Sequence, residues 1–76
     1  MSDLSDRHPG TLKMLRWFEY EHLPERLQPV SRIFHDAAHA IVEQGADGAE
    51  LSTSLRKLLE AKDAGVRSAI EKKESS

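Results

Sequence analysis

The feature that most constrains this chain is a helical period in its apolar residues. Val30, Ile33, Phe34, Ala37, Ala38, Ile41 and Val42 recur at three- and four-residue steps, one face of a helix with no strand alternation. Pro29 has no amide hydrogen to give and suits a first turn, so this helix starts near Pro29. Gly45 predicts a left-handed residue closing it. About 16 residues at about 1.5 Å rise make a rod of about 24 Å. Asp47-Gly48-Ala49-Glu50 then has the spacing of a capping box, in which the aspartate accepts from the glutamate amide and the glutamate reaches back. A second helix follows to about Lys73, with Leu51, Leu55, Leu58, Leu59, Val66, Ala69 and Ile70 as its apolar set. Asp63, Arg67 and Glu71 stand four apart on its outside, and Lys72 and Lys73 suit its C-terminus.

A short link between two amphipathic helices favours antiparallel neighbours. The expected fold is all-α: an antiparallel helical hairpin with a short N-terminal helical segment. Residues 1–10 read as a flexible arm, 11–73 as the helical-hairpin domain and 74–76 as a frayed tail. Thr11 would cap the short helix, which carries Leu12, Met14, Leu15 and Phe18. The chain has 76 residues, so it holds one core, and at that size only about 60% of the unfolded surface is buried. It has no cysteine, which removes disulfides, thiolate catalysis and cysteine-bound zinc. Assembly into a homo-oligomer is the usual way to supplement such a core and is expected here. Ala37, Ala38 and Ala40 on one helix and Ala61, Ala64 and Gly65 on the other are small enough for a close crossing with another helix. Such a crossing would offset the roughly 1 kcal/mol that a mid-helix glycine costs relative to alanine. The alternative is a tolerated surface glycine.

Charge and hydropathy exclude several classes. No apolar run approaches the roughly 20 residues of a bilayer span, and the polar stretch Met1–Arg7 is no signal peptide. The net charge of −2 disfavours a long polyanion but permits a few local phosphate contacts.

Trp17, Phe18 and Tyr20 fall within four positions, with Arg16 before them and His22 after. Flat rings beside cations can hold a flat anion, because rings stack on bases and cations pair with phosphate. The plainer reading makes Trp17 and Phe18 a hydrophobic plug over the hairpin. His35 and His39 share a helix face, with Glu43 a turn further. The run His35-Asp36-Ala37-Ala38-His39 is a weak version of HExxH: Asp36 replaces the glutamate and no third ligand is evident. A half-buried histidine pair, either structural or facing a ligand at a subunit boundary, is the preferred reading. Lys62 lies near the apolar seam of the second helix, either snorkelling or held at a subunit junction to meet phosphate. Arg56 and Lys57 read mostly as solvated face. With no glycine-rich phosphate loop, no GxSxG elbow and no pocket logic for Glu19, Glu21 and Glu25, no enzyme and no cofactor is expected.

The stretch Trp17-Phe18-Glu19-Tyr20-Glu21-His22, the proline-started helix, and Leu55-Arg56-Lys57-Leu58-Leu59-Glu60-Ala61-Lys62 together resemble the phage anti-CBASS cyclic-oligonucleotide sponges. Their helical-hairpin domain is shared with a Thoeris-counteracting sponge. The resemblance covers about residues 17–70, and Lys57, Leu58, Glu60 and Ala61 match the family's Leu-x-Lys-Leu-x-Glu-Ala core. It implies a homo-oligomer, in the family a hexamer built from dimers. Cyclic dinucleotides would sit in pockets shared between protomers, and cyclic trinucleotides in separate sites. The messenger is held and not cleaved, in the cytoplasm of the infected bacterial host. Tyr20 matches the tyrosine that holds a base. His35 stands nearest to the position where the family commonly carries a phosphate-binding cation, and Lys62, Asp63 and Ala64 stand where it often carries Met and Trp. The expected ligand-binding set is Tyr20, His22, His35, His39, Arg56, Lys57 and Lys62. Two readings compete with it: a helical protein–protein interaction module without a small-molecule ligand, and a metal-dependent hydrolase built on His35 and His39.

Overall fold

The computed structural model of the chain describes residues 8–75, with side chains as far as residue 72. Helix α1 spans Pro9–Leu15 and is prolonged by a 3₁₀ turn, Arg16–Phe18. Its cap is His8, three residues ahead of the expected Thr11. The His8 imidazole accepts from the Gly10 amide at 2.9 Å, and Pro9 occupies the first turn, where a missing N–H costs nothing. Of the expected arm, residues 1–7 lie outside the described residues. A second 3₁₀ turn, Glu25–Leu27, leads into α2, Gln28–Gln44, with Pro29 in its first turn as expected. Helix α3 spans Ala49–Ser75. No strand occurs among the described residues, and no helix there is long and apolar enough to cross a membrane.

The α2–α3 link departs from expectation in its glycines. Gly45 is extended, at φ −101° and ψ 162°, and closes α2 by donating its amide to the Ile41 carbonyl at 2.9 Å. Gly48 is the glycine that uses its freedom, at φ +154° immediately before α3. Between them, the Asp47 carboxylate spans the gap to α1. One oxygen accepts from the His8 amide at 3.1 Å and the other from the Thr11 hydroxyl at 3.1 Å. A carboxylate at that helix N-terminus also meets the positive end of its dipole.

The two long helices pack together in a hairpin-like pair. Gly45 lies against Leu51, and Phe34 and Val30 lie against Gly65. The core joins Ala38 and Val42 of α2, Leu51 and Leu55 of α3, and Leu15 and Phe18 of the N-terminal element. Phe18, Val42, Ser31 and Leu55 are the largest fully buried side chains, so Phe18 is the plug that the sequence suggested. Its neighbour Trp17 is not, at 61% exposed. Ile33, expected on the inward face, is also exposed, at 65%. The inward stripe runs through Ser31, Ala38 and Val42, and Ile33 stands about 200° around the helix from Ser31. At about 1.5 Å per residue α3 is roughly 40 Å long against about 26 Å for α2. Its C-terminal part, beyond Gly65, therefore runs past the start of α2, carrying half-buried Val66, Ala69 and Ile70.

Gly65 is explained within the chain. A Cβ at this position would stand 2.9 Å from both Cε2 and Cζ of Phe34. The edge of the ring comes close to the bare backbone, so the close crossing expected with another helix is made by α2 of the same chain. Of the small residues read from the sequence, Ala38 shares this role, whereas Ala40, Ala61 and Ala64 face solvent. Helix propensity alone would make Gly65→Ala stabilising by about 1 kcal/mol. The clash with Phe34 reverses the sign, and a net loss of about 1–2 kcal/mol is expected. Urea unfolding of the two proteins checks this; a raised midpoint for the variant would contradict the packing.

Candidate functional site

The site forms where the segment after Phe18 crosses α2 and α3. The backbone leaves the 3₁₀ turn at Glu19, turns with Leu23 N–H bonded to the Tyr20 carbonyl at 3.0 Å, and re-enters helix after Pro24. Gln28 fastens this segment. Its side-chain amide donates to the Leu23 carbonyl at 2.9 Å and to the Glu21 carbonyl at 3.4 Å. Periodicity gave no signal for that role, since Gln28 reads as an ordinary helix-starting residue.

Three aromatic groups line up along the middle of α2. The Tyr20 ring meets His35 edge-on, with centroids 5.1 Å apart and planes at 74°. His35 and His39 lie 4.4 Å apart at 40°. A groove of about 510 Å³ opens beside them, lined by Leu15, Arg16, Glu19, Glu21, His22, His35 and His39. Tyr20 borders a different groove of about 530 Å³, with Glu25, Gln28, Pro29 and Arg32. A third, of about 570 Å³, lies toward α3 between Arg16, Trp17, His22, Leu59, Lys62 and Asp63.

The expected ligand set thus divides. His22, His35 and His39 converge in one groove, and Tyr20 touches it through His35. Lys62 and His22 share the α3 groove. Arg56 and Lys57 are exposed on α3 and line none of these three grooves. Arg16 joins two of the grooves, a role that its place beside the aromatic cluster hinted at.

Lys62 is buried, at 9% exposed, and its ammonium donates to the Trp17 carbonyl at 2.6 Å. It stands 6.0 Å from the Phe18 ring centroid. A cation at the end of a helical turn meets carbonyls that have no partner within the helix.

Protonation is shaped by local contacts. The hydrogen bond from His35 at 3.0 Å holds the Asp36 carboxyl below its ordinary value, and Arg32 at 3.6 Å adds to this. Asp36 is exposed, so water screens the pair and it adds little to stability. Burial holds the His39 imidazole below its ordinary 6.5, and a charge on His35 would push it lower; Glu43 and Asp36 oppose the shift. Among the described residues, no group of three or more histidine, aspartate or glutamate side chains is placed to hold a metal ion.

The His39 shift has a defined consequence. Its folded pKa is depressed, so the unfolded chain takes up this proton first as pH falls. The resulting stability is present above pH 6.5 and is lost as pH falls toward the folded value. The melting temperature should drop across the mildly acidic range, and His39→Gln should flatten that drop. A wild-type melting temperature unchanged between about pH 7 and pH 5 would contradict the burial of His39.

Comparison of the chain with family models, with curated proteins and with solved structures finds no match.

Proposed function

We propose that the protein binds and sequesters cyclic oligonucleotide second messengers without cleaving them, in the cytoplasm of an infected bacterial cell, and so counteracts CBASS-type anti-phage defence. The observation that carries this reading is the row Tyr20–His35–His39 beside a groove that also holds His22 and Arg16. A base stacks or edges on such rings, and imidazolium and guanidinium groups pair with phosphate. Cyclic dinucleotides are the favoured ligands, with cyclic trinucleotides as candidates for other sites.

The reading includes a homo-oligomer, a hexamer by resemblance, of antiparallel hairpins with ligand pockets shared between protomers. It is supported by the apolar residues Val66, Ala69 and Ile70, left half-buried in the C-terminal part of α3. Exposed Ile33 and Trp17 support a second reading, a helical module that binds another protein and no small molecule.

Calorimetry against a panel of cyclic di- and trinucleotides separates the two. Saturable heat, with intact ligand recovered after heat denaturation, is expected; a silent panel together with one stoichiometric protein partner would favour the second. Tyr20→Ala should weaken binding by about 1–3 kcal/mol if a base lies on the phenol ring. Light scattering should give a particle mass that is a multiple of the 8.6 kDa chain. A monomer at micromolar concentration would contradict shared pockets.

A further inference from the structure

We propose that the groove between the end of α1 and α3 is a separate binding site for a mononucleotide-sized ligand, with its phosphate on Lys62 and Arg16 and its ring on Trp17. This site needs none of the messenger reading, although it shares Arg16 and His22 with that groove.

Lys62 carries the argument. An ammonium has three donors, and the recorded hydrogen bond of Lys62 uses one of them, to the Trp17 carbonyl. The side chain is 91% buried, and among the described residues no carboxylate lies within the 4.0 Å of an ion pair. A buried charge is costly unless it is paired. Lys62 nevertheless lines an opening of about 570 Å³, within the size range of small-molecule sites. An anion entering there would complete its shell.

The rest of the lining matches a nucleotide in kind. Arg16, exposed and likewise without an ion pair among the described residues, offers the planar fork that fits phosphate. The Trp17 indole is 61% exposed on the same lining as both cations, open to stacking by a flat ring. Asp63 on the same wall can accept from ribose hydroxyls. Fixed charge also distinguishes the two grooves. Here two permanent cations face one carboxylate; in the histidine groove Arg16 faces both Glu19 and Glu21. Before any histidine is protonated, the α3 groove is the one that attracts a phosphate.

Trp17 is the only tryptophan in the chain, so its fluorescence reports on this groove. Adenosine 5′-monophosphate should change that fluorescence saturably, adenosine should bind about tenfold more weakly or worse, and inorganic phosphate should compete. Arg16→Gln should weaken the mononucleotide about tenfold. Trp17→Leu, followed by calorimetry, should do the same through lost stacking while leaving the affinity for inorganic phosphate unchanged. Both positions are exposed, and circular dichroism checks that the variants fold. Lys62→Met should lose phosphate binding; should it fail to fold, the 15N resonance of the wild-type Lys62 ammonium replaces it and should move on addition of phosphate. Unmoved fluorescence at millimolar mononucleotide, equal affinity for adenosine, or wild-type affinity in Arg16→Gln would overturn the proposal. Tyr20→Ala separates the two sites: it should spare mononucleotide binding even where it weakens a cyclic dinucleotide. Cyclic dinucleotide heat without any mononucleotide response would remove this site and leave the sponge reading in place.

Discussion

The seat of Phe18 and Lys62 holds the architecture together. Phe18 is fully buried in the core shared by the two long helices, a placement worth about 1.5–3 kcal/mol. One residue earlier, the Trp17 carbonyl receives the Lys62 ammonium. A greasy anchor and a charged tether thus fix the same turn from two directions. With that turn held, Tyr20 emerges over α2, Trp17 over α3, and His22 between the two. The grooves follow from this single constraint, and Gln28 trims the path of the chain between them.

Helix α2 performs two tasks with adjacent stripes. Ser31, Ala38 and Val42 face the core, while His35 and His39 stand half-buried at its edge. That edge position sets their chemistry. It is dry enough to disfavour a charge on His39 and open enough for the rings to line a groove. The small side chains of the core stripe let the N-terminal segment and α3 come close. Gly65 does the same from the opposite wall by leaving room for the edge of the Phe34 ring.

Much of the fold was legible from residue spacing. Apolar period placed α2 and α3, Pro29 marked the start of α2, and four residues between Gln44 and Ala49 left no choice but neighbouring helices. The glycines were read less well. Gly45 and Gly48 lie three apart, and which of them takes positive φ depends on how Asp47 reaches α1, a contact 36 to 39 residues away in sequence. Ile33 fits the helical period yet faces water, because a stripe of seven apolar positions is wider than the surface α3 covers. Of the candidate site, the histidine pair and the aromatic cluster could be named from spacing. Their division among three grooves could not.

The sequence by itself determined that this is a helical chain with two long amphipathic rods and a ring-rich, cation-flanked N-terminal segment, because local periodicity and proline placement act within a few residues. Tertiary structure alone decided that Phe18 goes in while Trp17 stays out, that Lys62 is buried against a carbonyl, and that Arg16 and His22 border two grooves. Adjacent residues on a turn point in different directions, and which direction becomes interior is set by the helices that arrive from 20 to 45 positions away.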